Sequence, residues 1–194
     1  VHLKVDTGMR RVGAEPADAL ALAQLVDRSP SLELEAVWTH CAVADEPGNP
    51  TTDRQMDLLE AVLDDLDRAG LRPPLVHAAN SAAAIDHPRS RRDLVRCGIA
   101  VYGIAPSPAL ADRLPLRPAV HLRSEVAMIK RVPAGEGVSY GHRYTTPCDT
   151  VLATVPIGYA DGVPRRLGLV AGGVLVGGRR VPIAGVVTMD QLVV

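Results

Sequence analysis

Several residue types are scarce in this chain of 194 residues: phenylalanine is absent, tryptophan occurs once, and lysine occurs only as Lys4 and Lys130. Chemistry that needs a lysine amine therefore has two possible positions. No apolar run approaches the roughly 18 residues of a membrane-spanning helix, and the first residues do not form a signal peptide. The formal net charge of −1 gives no excess of basic residues, so neither nucleic acid nor a membrane is expected as a partner.

Cysteine is also scarce, and its pattern argues against two kinds of site. The three cysteines, Cys41, Cys97 and Cys148, are odd in number and lack the spacing of metal ligands. We expect them to be reduced, buried thiols in a cytoplasmic protein with no metal site. The chain also lacks an initiator methionine, and both of its ends fall within strand patterns, so we expect it to be a piece of a longer protein.

Strand and helix patterns alternate over the first part of the chain. Val1, Leu3 and Val5 alternate with His2 and Lys4, which predicts a strand with one apolar face and one face that carries the lysine. Alternation of strands with helices predicts a parallel sheet, in either a barrel or an open sheet. The predicted strands are 1–5, 34–40, 75–80 and 94–103, and the predicted helices are 15–29, 52–70 and 81–85.

The pattern changes after a proline-rich segment at residues 105–108. Beyond it, short strand patterns are joined by glycine and proline turns, and Gly177-Gly178 is typical of a two-residue hairpin loop. The sequence therefore predicts an α/β domain over residues 1–113 and an all-β domain over residues 114–194. The strands predicted in the second domain are 122–131, 150–157, 173–177 and 180–187.

Polar residues gather at the ends of the predicted parallel strands, where α/β proteins place their ligand sites. The first strand leads into the segment HLKVDTGMRRVG, the second ends at His40, and the third ends at Asn80 and Ser81. Each has a simpler interpretation: a glycine turn with solvated arginines, a hydrogen-bonded core histidine, and a plain helix N-cap at Ser81. No one of these segments predicts a function alone.

The fourth predicted strand carries a stronger indication, because it contains an arginine. In LVRCGIAVYG, Arg96 lies opposite the apolar set Val95, Cys97 and Ile99. An arginine within a buried strand needs a partner for its charge. Gly98, which has no side chain, would let backbone N–H groups approach a ligand closely.

Three short motifs stand out in the predicted β domain: SYGHRY at 139–144, PIGYADG at 156–162 and TMDQ at 188–191. Two of the four tyrosines, Tyr140 and Tyr159, fall in glycine-flanked turns of these motifs. The usual role of a turn tyrosine is to pack against a neighbouring surface. These motifs therefore gain meaning only in combination with the strand-end residues.

Taken together and in this order, the segments resemble the alanine racemase family, and the resemblance runs from Lys4 to the end of the chain. It implies a (β/α)8 TIM-like barrel that holds pyridoxal 5′-phosphate, of which residues 1–113 would be the second half, followed by a C-terminal β domain. It also implies interconversion of L-alanine and D-alanine, for the supply of peptidoglycan precursors, by two bases on opposite faces of the substrate. The family assembles as a homodimer whose active site is shared between the subunits.

The resemblance assigns roles to the strand-end residues. Arg11 matches the arginine that contacts the phenolic oxygen of the cofactor and the substrate carboxylate, and Lys4 matches a lysine, often carbamylated, that positions this arginine. Arg96 matches the arginine that faces the pyridine nitrogen, which stays unprotonated because arginine does not readily give up a proton. His40 and His77 would lie in the network around Arg96. The implied cofactor-binding residues are Arg11, Asn80, Ser81, Arg96, Gly98 and Ile99.

The β domain supplies the remaining roles. Tyr140 matches the tyrosine that acts as the second catalytic base, and Met189 matches a backbone contact to the substrate carboxylate. Tyr159, Asp45 and Arg165 match residues of the entryway to the active site.

The sequence departs from the family pattern at a few positions. Arg10 stands where a glycine is usual, Thr188 stands where many members have cysteine, and Cys41 takes a position that is often aromatic. None of these differences removes a catalytic group.

The cofactor lysine of the family lies on its first strand, in a segment outside this chain. A tyrosine late in the family's sequence, which helps to bind the phosphate, is missing as well. We therefore expect the 194-residue chain alone to be inactive. Two alternatives stay open: an enzyme in which Lys4 itself forms the covalent link to the cofactor, and a non-catalytic barrel protein that binds pyridoxal phosphate. Decarboxylases with the same barrel are a weaker alternative, because their cysteine and aspartate motifs are not found.

Overall fold

Three short parallel strands organise the first of two compact units. The computed structural model describes all 194 residues, and its units are Val1–His121 and Leu122–Val194. In the first unit the strands lie in the order β1, β2, β3, each parallel to the next, which confirms the predicted parallel sheet for three of its four strands. The elements are β1 (His2–Lys4), α1 (Ala19–Asp27), β2 (Ala36–Trp38), α2 (Thr51–Arg68), β3 (Leu75–His77) and α3 (Ser81–Asp86).

The strand register sorts the side chains into two rows on opposite faces of the sheet. The apolar row packs with α1 and α2 into the core of the unit. On the other face Lys4 pairs with Trp38, and Trp38 pairs with His77. The predicted division of the first strand into an apolar face and a lysine-bearing face is therefore confirmed. The apolar row consists of Leu3, Val37 and Val76.

Helix α2 is held by apolar side chains at helical spacing. Met56, Leu59 and Leu63 are fully buried against the sheet, whereas Leu58 is exposed. The helix ends at Arg68, and Gly70, the predicted stop, follows with a φ of 68°, the left-handed conformation that closes a helix. No helix of the chain combines the length and the apolar character needed to cross a bilayer.

The strand predicted at 94–103 is wrong. Only Leu94 forms a β-bridge, with His77, and the later part of the segment is a short 3₁₀ helix. The ladder is interrupted because the side chain of Asp93 accepts the N–H of Val76 at 2.8 Å, where a strand would present a backbone carbonyl oxygen.

The apolar residues expected to be buried along this segment are exposed instead. Val95, Cys97 and Ile99 all lie at the surface of the unit, while Arg96 between them is half-buried. The expectation of an arginine within a buried strand is therefore wrong. Arg96 nevertheless has buried hydrogen-bond partners, as a partly buried guanidinium needs.

Only one of the three cysteines is buried as expected. Cys97 and Cys148 are exposed, and all three thiols are free. Burial raises the pKa of Cys41 to about 11, so this thiol stays protonated at neutral pH.

The second unit contains only strands and short 3₁₀ turns, which confirms its predicted all-β character. One antiparallel sheet consists of β10 (Leu192–Val193), β7 (Thr150–Val155) and β4 (Met128–Val132). Two hairpins are formed by β5 (Gly137–Val138) with β6 (Tyr144–Thr145) and by β8 (Gly173–Val176) with β9 (Arg179–Pro182). Gly177 and Gly178, with φ of 55° and 80°, form the predicted two-residue loop between β8 and β9.

Two predicted strands of this unit are shorter than expected. The strand predicted at 122–131 begins only at Met128. The strand predicted at 180–187 ends at Pro182, which has no N–H to donate, and Gly185 with φ of 90° then turns the chain. The apolar residues after Pro182 are buried in the core of the unit without forming a strand.

Candidate functional site

The carboxyl ends of strands β2 and β3 open into a pocket of about 300 Å³. Seven residues that the sequence singled out line it, together with Ala82 and Pro106. They come from three stretches of the chain: residues 40–45 follow β2, residues 80–81 follow β3, and residues 96–99 follow the isolated β-bridge at Leu94. The seven are His40, Asp45, Asn80, Ser81, Arg96, Gly98 and Ile99.

Arg96 is held at the pocket by four acceptors. Its Nη1 donates to Nδ1 of His77 at 2.6 Å. Its Nη2 lies 2.9 Å from the carbonyl oxygen of Thr39, 3.1 Å from that of Ala78 and 3.2 Å from Nδ1 of His40. A guanidinium with this many partners is fixed in position, as an arginine that recognises one atom of a ligand must be.

The two histidines beside Arg96 are neutral. A guanidinium can only donate hydrogen bonds, so His77 and His40 must both accept at Nδ1 and carry their proton on Nε2. Burial, with the charge of Arg96 as the next cause, lowers the pKa of His77 to about 4. The same two causes lower the pKa of His40.

Acid is expected to destabilise the first unit because of His77. The folded residue takes up a proton only near pH 4, whereas a histidine in an unfolded chain does so near 6.5. Between these values the unfolded state binds more protons, so the free energy of unfolding falls as the pH falls from about 6.5 to about 4. The part due to His77 is on the order of 3 kcal/mol. Urea unfolding at several pH values, followed by Trp38 fluorescence, measures it.

A pair of variants isolates this contribution from those of other groups. His77→Gln should flatten the pH dependence, because it removes the group that titrates. His121→Gln changes an exposed histidine and should keep the slope of the original chain. Equal slopes in all three proteins would show that His77 is not responsible.

The start of α3 differs from the expected N-cap. Asn80, not Ser81, caps the helix: its side-chain oxygen accepts the N–H of Ala83 at 3.0 Å. Ser81 is therefore left free of the capping role, and its buried hydroxyl accepts the N–H of Gly98 at 2.8 Å and that of Ala100 at 3.3 Å. This hydroxyl joins α3 to the 96–100 segment at the pocket wall.

Lys4 is half-buried on the face of the sheet that carries Trp38, and its Nζ is buried without a hydrogen-bond partner. The Nζ lies 5.0 Å from the ring centre of Trp38, and the guanidinium of Arg96 lies 4.6 Å from the same ring. Burial lowers the pKa of Lys4, and the charge of Arg11 lowers it further. Arg11 itself is exposed. Lys4 and Arg11 thus lie near the pocket without lining it.

The turn that carries Arg11 is organised by the carboxylate of Asp6. Its Oδ1 accepts the N–H of Gly8 at 2.9 Å and that of Arg10 at 3.0 Å. These backbone hydrogen bonds lower the pKa of Asp6. Arg10 has a φ of 56°, in the left-handed region that favours glycine. Glycine is the usual residue at this position in the family that the sequence resembles. The side chain of Arg10 forms an exposed ion pair with Glu15 at 2.7 Å.

One supporting residue was not predicted from the sequence. Gln55 on α2 is buried, and its Oε1 accepts the N–H of Ala42 at 2.8 Å. Its Nε2 donates to the carbonyl oxygen of His40 at 3.0 Å and to the hydroxyl of Thr7 at 3.3 Å. The amide therefore ties the ends of β1 and β2 to the helix behind them. Its position on the apolar stripe of α2 was the available signal, since a polar residue there needs partners.

In the second unit, Tyr140 lies in a strained turn. Ser139 and His142, with φ of 61° and 45°, are non-glycine residues in the left-handed region. The hydroxyl of Ser139 donates to the carbonyl oxygen of Val186 at 2.8 Å, which anchors the turn to the core. The side chain of Tyr140 is exposed, and it lines a pocket of about 720 Å³ together with Arg165.

Tyr159 and Met189 are neighbours in the same unit. The N–H of Tyr159 donates to the carbonyl oxygen of Thr188 at 3.0 Å, and the N–H of Ala160 donates to that of Met189 at 2.9 Å. A side chain at Gly158 would overlap these two carbonyl groups, so glycine is required for the approach. The side chains of Tyr159 and Met189 are both exposed.

Two family models match the chain. The model described as alanine racemase, N-terminal domain, matches residues 1–106, and the model described as alanine racemase, C-terminal domain, matches residues 119–194.

Proteins similar over the whole chain bear the same name. An alanine racemase of Symbiobacterium thermophilum is 50% identical over 194 residues, which are 100% of this chain and 51% of that protein. The crystal structure of alanine racemase from D-cycloserine-producing Streptomyces lavendulae matches with a TM-score of 0.92 and 45% identity, over 99% of this chain and 51% of that one. Alanine racemase from Streptomyces coelicolor matches with a TM-score of 0.90 and 43% identity, over 100% and 52%. The chain thus spans about half the length of these relatives.

Proposed function

Because the chain belongs to the alanine racemase family, we propose that it forms part of an enzyme that interconverts L-alanine and D-alanine for cell-wall precursor supply. Its fold is part of the barrel of that family followed by part of its β domain, and we place the boundary between residues 113 and 114. The observation that carries the proposal is the pocket at the strand ends, which brings Arg96, Ser81 and Gly98 together. We further propose that the enzyme is a cytoplasmic homodimer.

The residues of this pocket fit pyridoxal 5′-phosphate. A phosphate needs hydroxyl and N–H donors, and Ser81 supplies a buried hydroxyl while the N–H of Ile99 has no acceptor within the chain. A Cβ built at Gly98 would meet no atom, so the backbone there faces open space. At the other side of the pocket Arg96 presents a fixed donor that suits an unprotonated ring nitrogen. The chemistry that the bound cofactor supplies is to take up the electron pair left on the α-carbon of alanine when its proton is removed.

The chain's own residues then bind, orient and move the proton. Arg96 would donate to the ring nitrogen and, because arginine keeps its proton, would leave that nitrogen unprotonated, which limits how much negative charge the ring can accept. Arg11 and the backbone at Met189 bind the substrate carboxylate. Tyr140 would take the α-proton at its phenolic oxygen on one face of the substrate, while the second base of the family, which lies outside this chain, would deliver a proton to the other face; in the reverse direction Tyr140 would give its proton back. Its side chain is 72% exposed, which leaves it free to reach the pocket of a second subunit.

Removal of the Ser81 hydroxyl is expected to weaken cofactor binding. Ser81→Ala takes one donor from the phosphate site and should raise the dissociation constant for pyridoxal phosphate about tenfold, since a hydrogen bond to a charged group is worth about 1.5 kcal/mol or more. Quenching of Trp38 fluorescence by added pyridoxal phosphate gives the constant. Ser29→Ala is the matched control, because Ser29 lies outside the pocket and its hydroxyl binds only the carbonyl oxygen of Leu25 at 2.7 Å. Equal affinity in both variants would remove Ser81 from the site.

A second candidate is favoured by one observation, the buried and unpartnered Nζ of Lys4 with its lowered pKa. A desolvated lysine beside cations is a competent nucleophile, so Lys4 could itself hold the cofactor covalently. The same surroundings also favour carbamylation, which would give Arg11 and Arg96 an anionic neighbour. Of these two we propose that Lys4 is carbamylated. Two cations, Arg11 and Arg96, act on Lys4 and would pair with the resulting anion, whereas only one carboxylate, Asp6, acts on it.

Lysine labelling separates these possibilities. The chain is incubated with pyridoxal phosphate, reduced with borohydride and mapped by mass spectrometry, alongside an alanine racemisation assay. We expect no stoichiometric label at Lys4 or Lys130 and no turnover by the chain alone. Adding the remaining N-terminal portion of a relative should restore activity, and Tyr140→Phe should then abolish most of it. Stoichiometric labelling of Lys4 with turnover would replace our proposal by the second candidate.

A further inference from the structure

A line of hydrogen bonds runs from the pocket to the surface of the first unit. Arg96 donates to Nδ1 of His77 at 2.6 Å. Nε2 of His77 lies 3.2 Å from Nδ1 of His2, and Nε2 of His2 lies 3.1 Å from the carboxylate of Glu35. His77 is buried, whereas His2 and Glu35 are exposed. Three side chains thus connect Arg96 at the pocket to the solvent.

The two ends of this line fix the direction of every hydrogen bond in it. A guanidinium only donates, so His77 accepts at Nδ1 and holds its proton on Nε2. That proton is directed at Nδ1 of His2, which must accept, and the proton of His2 is therefore on Nε2. A carboxylate only accepts, so Glu35 suits the Nε2–H of His2. Arginine at one end and glutamate at the other require the same pair of tautomers.

We propose that His2 and Glu35 are positioning residues for Arg96: they hold His77 in the tautomer that accepts from the guanidinium at the pocket. The proposal rests on the proposed function in that Arg96 is taken to face the cofactor ring. Glu35 touches neither substrate nor cofactor. Its role is to accept from His2, and so to support at the solvent end the same arrangement of protons that Arg96 requires at the pocket end.

The other groups around the two histidines do not supply this preference. Trp38 stacks on His77 with ring centres 5.2 Å apart, and its face has no acceptor for a ring N–H in the plane of His77. Lys4 points at Trp38 from the same row of the sheet. Glu35 is the one acid in hydrogen-bond contact with either His2 or His77.

Charge reversal at Glu35 provides the test, because it opposes the direction set by Arg96. In Glu35→Lys the new ammonium donates to Nε2 of His2, so the proton of His2 moves to Nδ1 and meets the Nε2–H of His77. Glu33→Lys is the matched control: it makes the same change of charge two residues away, at an exposed position whose side chain has no partner among the hydrogen bonds and ion pairs. Glu35→Gln, whose amide can either accept or donate, is the intermediate case.

Nitrogen chemical shifts of ¹⁵N-labelled histidine read the tautomers directly, and fluorescence gives the dissociation constant for pyridoxal phosphate. We expect Nε2–H at both His2 and His77 in the original chain and in Glu33→Lys. In Glu35→Lys we expect His2 to become Nδ1–H, and the affinity for pyridoxal phosphate to fall several-fold. If Glu35 only supported the fold locally, the histidine tautomers and the affinity for pyridoxal phosphate would be the same in Glu35→Lys as in Glu33→Lys.

Two outcomes would overturn the proposal: His2 protonated on Nδ1 in the original chain, or histidine signals in Glu35→Lys that equal those of Glu33→Lys. The tautomers are measured without cofactor, so they test the positioning role independently of the proposed function. If the tautomers respond as expected but the original chain binds no pyridoxal phosphate, the proposed function fails and the positioning of Arg96 stands.

Discussion

Replacing Arg96 with leucine is expected to lower the free energy of unfolding by about 3 kcal/mol, because it leaves several buried acceptors without a donor. The carbonyl oxygens of Thr39 and Ala78 and the Nδ1 atoms of His40 and His77 all accept from this guanidinium. Leucine fills the space but satisfies none of them. Urea unfolding followed by the fluorescence of Trp38, whose ring lies 4.6 Å from the guanidinium, measures the loss.

Arg91→Leu is the matched control for this variant. Arg91 lies five residues earlier, is exposed, and donates to the carbonyl oxygens of Ala84 and Ile85 at 3.0 and 3.2 Å. Water can replace it at both acceptors, so we expect a change below about 1 kcal/mol. Similar losses in the two variants would mean that the network around Arg96 contributes little to the stability of the fold.

The second large effect is expected in the core. Leu59→Ala should lower the free energy of unfolding of the first unit by about 2–5 kcal/mol, because it removes a fully buried side chain and leaves a cavity between α2 and the sheet. Leu58→Ala makes the identical change at the adjacent position of the same helix. Leu58 is 44% exposed, so its loss should stay below about 1 kcal/mol.

The comparison of Leu59 with Leu58 also tests the orientation of α2. Both variants carry the same change in helix propensity, so the difference between them isolates the buried contacts. The midpoint of the urea transition is measured with Trp38, the single tryptophan of the chain. If Leu58→Ala proved the more damaging change, the face of α2 that packs on the sheet would be misassigned.

Much of the first unit could be predicted because its periodicities are regular. The alternation of apolar and polar residues around Lys4 gave the two faces of β1, and the spacing of Leu59 and Leu63 gave the buried stripe of α2. The same alternation failed at Arg96. Alternation reports only that neighbouring side chains point in opposite directions, and it does not show that a partner strand exists on each side.

Local competition for hydrogen bonds explains the other differences. Asn80 and Ser81 are both good N-caps, and sequence alone does not decide which of two adjacent candidates takes the role. The side chain of Asp93 replaces a backbone carbonyl oxygen beside β3, a substitution of partners that no periodicity reveals. Each of these outcomes depends on contacts between segments that are distant in the sequence.

The candidate site was predicted more completely than its supports. The ordered motifs named seven residues that line one pocket. They could be named because the resemblance to a family rests on the polar residues at the predicted strand ends. His2, Glu35 and Gln55 were not singled out, although they hold residues of the site in place. His2 shares the lysine-bearing face of β1, so the period of two could have identified it.

The turn around Tyr140 limits how this region can change over generations. Ser139, with φ of 61° and ψ of −173°, holds a backbone conformation that residues other than glycine rarely adopt, and His142, with φ of 45°, holds one that β-branched residues disfavour. A substitution at either position is therefore expected to displace the phenol of Tyr140 without altering it. If Tyr140 is the base proposed above, its inheritance depends on these two neighbours, and a variant with an intact Tyr140 is expected to behave as a null allele when either neighbour changes.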